Sequence, residues 1–262
     1  MDAAIRSRLD QHILGAQSIL YRTIPGATFE VTSEWARGFS GLRWPNFNVF
    51  LPLTPAGLND DNLADASAYF VDREVYYSVE LVHDRFPEGP DFLDKRGYQS
   101  LPPQPAMFLQ GLPEKVALNS EVVVETVKTV PALTAFCTTL HQVFDFPLAD
   151  IIKLCPVSQL KSPVLHHYLA FLEEQPVGAG TLVWAEGMAS VWNLSTIDSY
   201  RQRGVATTLL YRMLHDVYEQ ERRNLTMLFS TAQAYHFFNK FGFEIYTQRQ
   251  WFLPPGIVYD DE

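Results

Sequence analysis

The sequence predicts an α/β fold, an α+β arrangement around a mixed sheet, built in two halves, and three observations carry that prediction. Three strand-like segments lie in succession between residues 165 and 197, joined by short turns, as in an antiparallel meander. After them helix, strand, helix and strand alternate up to residue 252, an order that places some strands in parallel across a crossover. The third observation is an internal echo. Phe92-Leu93-Asp94-Lys95-Arg96-Gly97-Tyr98 repeats the pattern of Phe237-Phe238-Asn239-Lys240-Phe241-Gly242-Phe243, and each run follows a strand that itself follows a helix. The candidate linker Gly111-Leu112-Pro113 divides a domain of residues 1–112 from one of residues 113–262.

The first expected element is a helix over 3–21, followed by short strands and loops to Pro55. A helix over 63–72 opens after Asp60 and Asp61, whose charge suits a helix N-terminus. Residues 75–82 alternate and are rich in Val and Tyr, so they read as a strand. After the loop Phe86-Pro87-Glu88-Gly89-Pro90 a short helix ends at Gly97, a C-cap glycine. Leu101-Pro102-Pro103-Gln104-Pro105 reads as an extended break. The second domain opens with a strand over 122–127 and helices over 131–144 and 148–160. The meander strands follow at 165–172, 178–184 and 190–197, with turns at Glu173-Glu174-Gln175-Pro176 and Glu186-Gly187. Val205, Leu209, Leu210, Met213, Leu214 and Val217 form one apolar stripe, with Thr207, Arg212, Asp216 and Glu219 off it, so an amphipathic helix begins at Val205. A buried-type strand over 225–229, a short helix over 232–241 closed by Gly242, and a strand over 243–252 complete the pattern.

Composition narrows the function. The chain has 262 residues, 47% hydrophobic and 19% charged, enough for a sizeable core. A formal net charge of -10 and a pI of about 5.1 repel phosphate backbones, and no basic run offsets them, so nucleic acid is not an expected partner. Asp260-Asp261-Glu262 read as a solvated acidic end. Cys137 and Cys155 fall in apolar, helix-like segments and read as two buried thiols of a reducing compartment, not as a disulfide framework. Met1-Asp2-Ala3-Ala4-Ile5-Arg6 does not have the layout of a secretory signal, and no apolar run reaches membrane-spanning length. The expectation is a cytoplasmic protein without a membrane partner. No His, Cys and Asp grouping has metal-ligand spacing, and there is no nucleophile-elbow Gly-x-Ser-x-Gly.

The segment Ser195-Thr196-Ile197-Asp198-Ser199-Tyr200-Arg201-Gln202-Arg203-Gly204-Val205-Ala206 carries the chemistry. A strand ends, a loop turns, and a helix starts at a Gly-x-small step. Amide N–H groups at such a start are unpaired and point outward, and with the helix dipole they favour an anion, typically a pyrophosphate. Gly204 and Ala206 keep side chains out of the approach, and Arg201 and Arg203 add positive charge. Alone, Arg-x-x-Gly-x-Ala is an ordinary turn. Its place between a strand meander and a well-formed helix gives it weight.

In this setting the sequence resembles the GNAT acetyltransferase superfamily over about residues 121–252, most strongly over 167–243. The resemblance implies a GNAT-like acyl-CoA N-acyltransferase fold, with residues 1–112 a degenerate GNAT-like or structural domain, so two tandem GNAT-like domains. It implies acetyl-CoA, an acyl-CoA, as co-substrate. Arg201, Gly204 and Ala206 match the family's Arg/Gln-x-x-Gly-x-Gly/Ala, so Gln202, Arg203, Gly204, Val205, Ala206 and Thr207 would cradle the pyrophosphate. Leu194, Ser195 and Thr196 would pair their backbone with the pantetheine arm along a bulged strand. Ala234, Gly242 and Phe243 match the family's late helix. Thr231 departs from it, standing where the family often has Asn. Phe238, counted with the cofactor site, stands where the family often has a Tyr that protonates the leaving thiolate, and a phenyl ring cannot.

Tyr235, about one turn before Phe238, is the candidate catalytic substitute. No general base is assigned. Glu173, Glu174 and Glu186 lie in turns, His166 and His167 face opposite sides of one strand, and His236 lies near the late helix. The resemblance implies transfer of an acetyl group to a primary amine of a small molecule or peptide, by a monomer or homodimer. The alternative, motivated by Phe238, is a non-catalytic acyl-CoA-binding or regulatory protein. The first half has Gly57-Leu58-Asn59-Asp60-Asp61 before its helix, where two acids would repel a pyrophosphate. Its expected role is structural, or to wall the acceptor pocket with aromatics such as Trp35, Trp44, Phe47 and Phe50.

Overall fold

A computed structural model describes residues 3–113, 116–221 and 225–257; Met1-Asp2 and the acidic end Asp260-Asp261-Glu262 lie outside the described residues. In chain order the elements are α1 (Ala3–Thr23), β1 (Thr28–Val31), β2 (Trp35–Phe39), β3 (Asn48–Pro52), α2 (Asp60–Val71), β4 (Ser78–Val82), α3 (Gly89–Asp94), β5 (Gln99–Ser100), β6 (Gln104–Gln110), β7 (Val123–Thr126), α4 (Val130–Phe144), α5 (Leu148–Leu154), β8 (Leu165–Leu172), β9 (Gln175–Ala185), β10 (Met188–Thr196), α6 (Val205–Glu221), β11 (Leu225–Phe229), α7 (Tyr235–Lys240) and β12 (Glu244–Leu253). Among the described residues no helix is long and apolar enough to cross a membrane.

The chain forms two compact units. The large unit comprises Met1–Pro25 and Met107–Tyr246, and the small unit Gly26–Ala106 and Thr247–Glu262. This differs from a single cut near residue 112, and α1 is one reason. Leu9, Ile13 and Ala16 of α1 are buried, and Ala16, Ile19 and Leu20 pack with Leu165, Val183 and Ala185 of β8 and β9. His12 Nδ1 also lies 2.8 Å from the carbonyl oxygen of Ala185. A helix with such a stripe needs an apolar face to cover, and the large unit provides it.

In the large unit the strand order is β6–β11–β10–β9–β8–β7. Strands β7 to β10 pair antiparallel, as the meander requires, and β10 pairs parallel with β11, with α6 as the crossover. The six stripe residues of α6 are all buried, together with Tyr168, Leu172, Val177, Leu228 and Phe243. Asp216, off the stripe, is buried too. It accepts hydrogen bonds from the Tyr168 hydroxyl at 3.0 Å and from Arg212 Nε at 2.9 Å. Burial, and then the nearby Asp216 carboxylate, push the Tyr168 hydroxyl above its ordinary pKa.

The alternate residues of the same strands meet α4 and α5. Leu133, Phe136, Cys137, Leu140, Ile151 and Cys155 form a cluster with Leu169 and Ala179. Both cysteines are free and buried. Thr129 caps α4 by accepting from the Ala132 amide at 3.3 Å. The helix expected over 148–160 ends at Leu154 and resumes as a short 3-10 turn at Val157–Lys161, because Pro156 offers no N–H.

In the small unit the order is β1–β2–β3–β4–β12, with β5 on β12. Among the described residues β3 and β4 pair parallel, and β1–β2, β2–β3, β4–β12 and β5–β12 pair antiparallel. Phe50, Leu63, Phe70, Tyr77, Val79, Leu81, Leu93 and Phe252 fill its core. The echo read in the sequence is structural. The Tyr98 amide donates to the Leu93 carbonyl at 3.2 Å, and the Phe243 amide to the Phe238 carbonyl at 3.2 Å. The intervening Gly97 and Gly242 are left-handed, at φ 77° and 90°, so each short helix is closed by a residue that needs no Cβ.

Candidate functional site

Strand β10 opens the site. It pairs with β11 only through Ala189, Ser190 and Val191, yet runs on to Thr196. Between Trp192 and Ser195 its register with β9 shifts, and Asn193 is left-handed at φ 55°. Such a bulge bends a strand. Beyond the bulge Ser195 and Thr196 pair with Ala179 and Gly178 of β9, while the register with β11 ends at Val191, so Leu194, Ser195 and Thr196 have no β11 partner among the described residues.

The loop into α6 completes it. Gln202 and Gly204 both have positive φ, 62° and 79°. Left-handed residues alternating with ordinary ones turn successive amides toward one concave point. A Cβ on Gly204 would sit 3.0 Å from Cβ of Asn119, so this position has neither the backbone freedom nor the space for a side chain. Asn119 holds the loop: its side-chain amide donates to the Arg203 carbonyl at 2.8 Å, and its backbone N–H to Thr208 Oγ1 at 3.1 Å. Among the described residues no side chain caps the amides of Val205, Ala206 and Thr207.

A cavity of about 640 Å³ lies against these residues. Leu194, Ser195, Thr196, Arg201, Gln202, Gly204, Val205, Ala206, Thr207 and Phe238 all line it, as do Val143, Phe144, Tyr200, Thr231, Gln233, Ala234 and Phe237. Thr196 Oγ1 is buried and has no hydrogen-bond partner. Phe238 is 6% exposed and packs against Phe243, ring centroids 5.9 Å apart. Thr231 accepts from the Ala234 amide at 3.2 Å, a capping role open to Thr as to Asn.

Two sequence candidates fall outside the lining. Arg203 pairs with Glu173 and lies 5.4 Å from the Tyr200 ring. Tyr235 is half-buried, with its ring 5.3 Å from that of His236, and neither residue lines the cavity. Arg201 does line it, and pairs with Asp198 at 2.7 Å. Asn119, Val143, Phe144 and Phe237 had no signal in the sequence, because each reaches the site from a distant segment or from a face that periodicity assigns to packing.

His166, His167 and His236 do not line the cavity. His167 is buried, its Nδ1 2.9 Å from Thr181 Oγ1 and its Nε2 2.8 Å from Gln159 Oε1, with the Phe136 ring 4.3 Å away. Burial pushes its pKa down to about 3, so it is neutral. His166 sits edge-on to Trp184 at 4.6 Å, its pKa also lowered by burial. Among the described residues no group of His, Cys, Asp and Glu could hold a metal ion.

Residues 163–245 match the family model of the acetyltransferase (GNAT) domain. No curated protein sequence matches the chain. Among solved structures, a GCN5-related N-acetyltransferase from Kribbella flavida superposes with a TM-score of 0.72 at 16% identity, covering 98% of this chain and 97% of that one. A GCN5-related N-acetyltransferase from Sphaerobacter thermophilus gives 0.66 at 13% identity, with 96% and 94% covered. A tandem GNAT protein from the clavulanic acid biosynthesis pathway gives 0.61 at 13% identity, with 99% and 98% covered. At these identities the likeness establishes the fold.

Proposed function

We propose that the protein transfers the acetyl group of acetyl-CoA to a primary amine of a small molecule or peptide, a reading supported by the match of residues 163–245 to the GNAT acetyltransferase domain and by the GNAT-like mixed α/β fold. One observation carries this: the uncapped amides of Val205, Ala206 and Thr207, behind the left-handed Gly204, border a cavity that also touches the unpaired edge of β10. Uncapped amides at a helix start suit a pyrophosphate. A strand edge without a partner suits an amide-bearing arm, which adds hydrogen bonds as another strand would. Gln202 to Thr207 would hold the phosphates, and Leu194, Ser195 and Thr196 the pantetheine. The Thr196 hydroxyl, buried without a partner, gains one there.

When bound, acetyl-CoA supplies a thioester whose carbonyl an amine can attack. Leu194, Phe237 and Phe238 give the cavity an apolar lining, which would disfavour water beside the thioester. Phe238 offers no proton to the departing sulfur. A thiol pKa of about 8.5 makes the thiolate a tolerable leaving group near neutral pH, so the missing hydroxyl slows the step without forbidding it. Isothermal titration with acetyl-CoA tests the reading, and an absence of binding refutes it. Phe238 also motivates a second reading, an acyl-CoA-binding protein that has lost turnover. Free thiol released across a panel of amines separates the two: binding with release supports the transferase, binding without it the second reading.

A further inference from the structure

The aromatic side of the same cavity bears on the acceptor. α4 ends at Phe144, and left-handed Asp145 turns the chain away. Phe144 stays 43% exposed while lining the cavity. Phe237 lines it too and packs on Phe238 and Phe241, with centroids 5.1 Å away in each case. Val143 and Leu194 extend the apolar wall. The charged side chain among the described lining residues is a cation, Arg201.

The acids near these elements are paired or do not line the cavity. Asp198 pairs with Arg201, Glu173 with Arg203, and Asp216 with Arg212 and Tyr168. On α4 and its C-cap, His141 Nδ1 contacts the Phe146 carbonyl at 2.8 Å, and Asp145 does not line the cavity. Neither do His166 and His167 of β8, nor Tyr235, His236 and Lys240 of α7. Tyr200, on the loop before α6, lines it beside Arg201.

Resting on the acetyltransferase reading, we propose that the acceptor is an aromatic amine that arrives uncharged, its ring packed against Phe144 and Phe237. An alkylammonium entering this wall would give up its hydration with no carboxylate among the described lining residues to receive it. With a pKa of about 10.4, a lysine-type amine is neutral in only about one molecule in 2,500 at pH 7, and a base would have to take its proton. An aromatic amine shares its lone pair with the ring and is already neutral. Its flat face suits offset or edge contact with phenyl rings. The exchange balances: an N–C bond forms, the C–S bond breaks, and the proton lost by nitrogen goes to sulfur, directly or through water.

The test compares aniline, benzylamine and spermidine as acceptors with acetyl-CoA, following thiol release at pH 7 and pH 9 alongside titration of acetyl-CoA. At pH 7 the kcat/KM for aniline is expected to exceed the other two at least about tenfold, as follows from their protonated fractions. The benzylamine rate then climbs steeply toward pH 9 while the aniline rate stays flat. Benzylamine or spermidine matching aniline at pH 7 overturns this inference and leaves the acetyltransferase reading standing. No acetyl-CoA binding, or binding without turnover on any amine, overturns both. Phe144→Ala is expected to raise KM for aniline about two- to twelvefold, the value of one aromatic contact, with acetyl-CoA affinity unchanged. An unchanged KM removes Phe144 from the site and overturns the proposed ring contact.

Discussion

The large and small units carry one motif and put it to different use. In each, two parallel strands are joined by a crossover helix, and a short helix closed by a left-handed glycine follows: β10–α6–β11–α7 in one, β3–α2–β4–α3 in the other. Each has a cavity of similar size near these elements, about 640 Å³ in the large unit and about 690 Å³ in the small. The difference lies at the start of the crossover helix. In the small unit Asn59 caps α2 by accepting from the Asn62 amide at 2.8 Å, and Asp60 and Asp61 already answer the helix dipole. Arg96 stacks on Phe92 at 3.5 Å and pairs with both carboxylate oxygens of Asp60. Glu88 and Asp91 line the cavity along with Arg85 and Lys95. An anion would meet a helix start already satisfied. In the large unit Gly204, Val205 and Ala206 leave it open. The motif is a scaffold, and the anion site depends on what stands at the first turn.

The sharpest way to break this contrast is to give α6 the acid that α2 has. Ala206→Glu is expected to weaken acetyl-CoA binding by more than about 100-fold, since like charges set together cost several kcal/mol. A Glu in the first turn favours the helix itself, so thermal stability should hold or rise slightly. Titration calorimetry and a melting curve read the two effects apart. Gly204→Glu should abolish binding as well, but its left-handed backbone and the contact with Asn119 add strain that a melting curve would show. Asp61→Asn in the small unit should leave acetyl-CoA affinity unchanged, and a change there would mean that the small unit takes part in binding.

Next in size is Phe238→Tyr. The ring is buried at the cavity, and its counterpart in the echo is Leu93, fully buried in the small-unit core. A hydroxyl at position 238 should raise kcat by up to about 100-fold, the lower end of what a general acid contributes, with the gain lost as pH passes about 10, where the phenol ionises. A kcat that does not move places proton delivery elsewhere, and Tyr235, which does not line the cavity, is not a ready alternative.

Local periodicity made the large unit legible. The stripe from Val205 to Val217, the meander and the turn at Gly204 are patterns within about a dozen residues, and side-chain burial follows them. Contacts between distant segments were not legible. Asn119 reaches Arg203 across 84 positions, and no local pattern marks such a partner. The placement of α1 depends on which sheet face its stripe covers, and a stripe does not name its target. β6 was hidden by Pro102, Pro103 and Pro105, which read as a break, although Ala106, Met107, Phe108 and Leu109 after them are buried. The pairing of Arg203 with Glu173, 30 positions away, was equally hidden.

The large unit also buries His167 in neutral form. Its pKa is about 3 in the folded protein, against about 6.5 unfolded. The unfolded chain therefore binds the proton first. The large unit keeps its full stability above about pH 6.5 and loses it as pH falls from there toward 3, by about 1.4 kcal/mol per pH unit. At pH 5 the loss is of order 2 kcal/mol. His166, lowered in the same direction, adds to the slope. His167→Gln should flatten this acid limb in urea unfolding at pH 7 and pH 5. A slope as steep as that of the wild type would show that other groups control it.

The smallest effect tests the small unit's side of the contrast. Asn59→Ala removes the cap of α2 and frees the Asn62 amide, at a cost of about 1 kcal/mol in small-unit stability. If capping alone kept anions away, the uncapped helix would now take up acetyl-CoA. Asp60 and Asp61 remain in its first turn, so titration should show no second binding event. The cap and the two acids act separately here, one on stability and the other on charge. A second acetyl-CoA equivalent bound by Asn59→Ala would mean that the cap, rather than the acids, is what distinguishes the two helices.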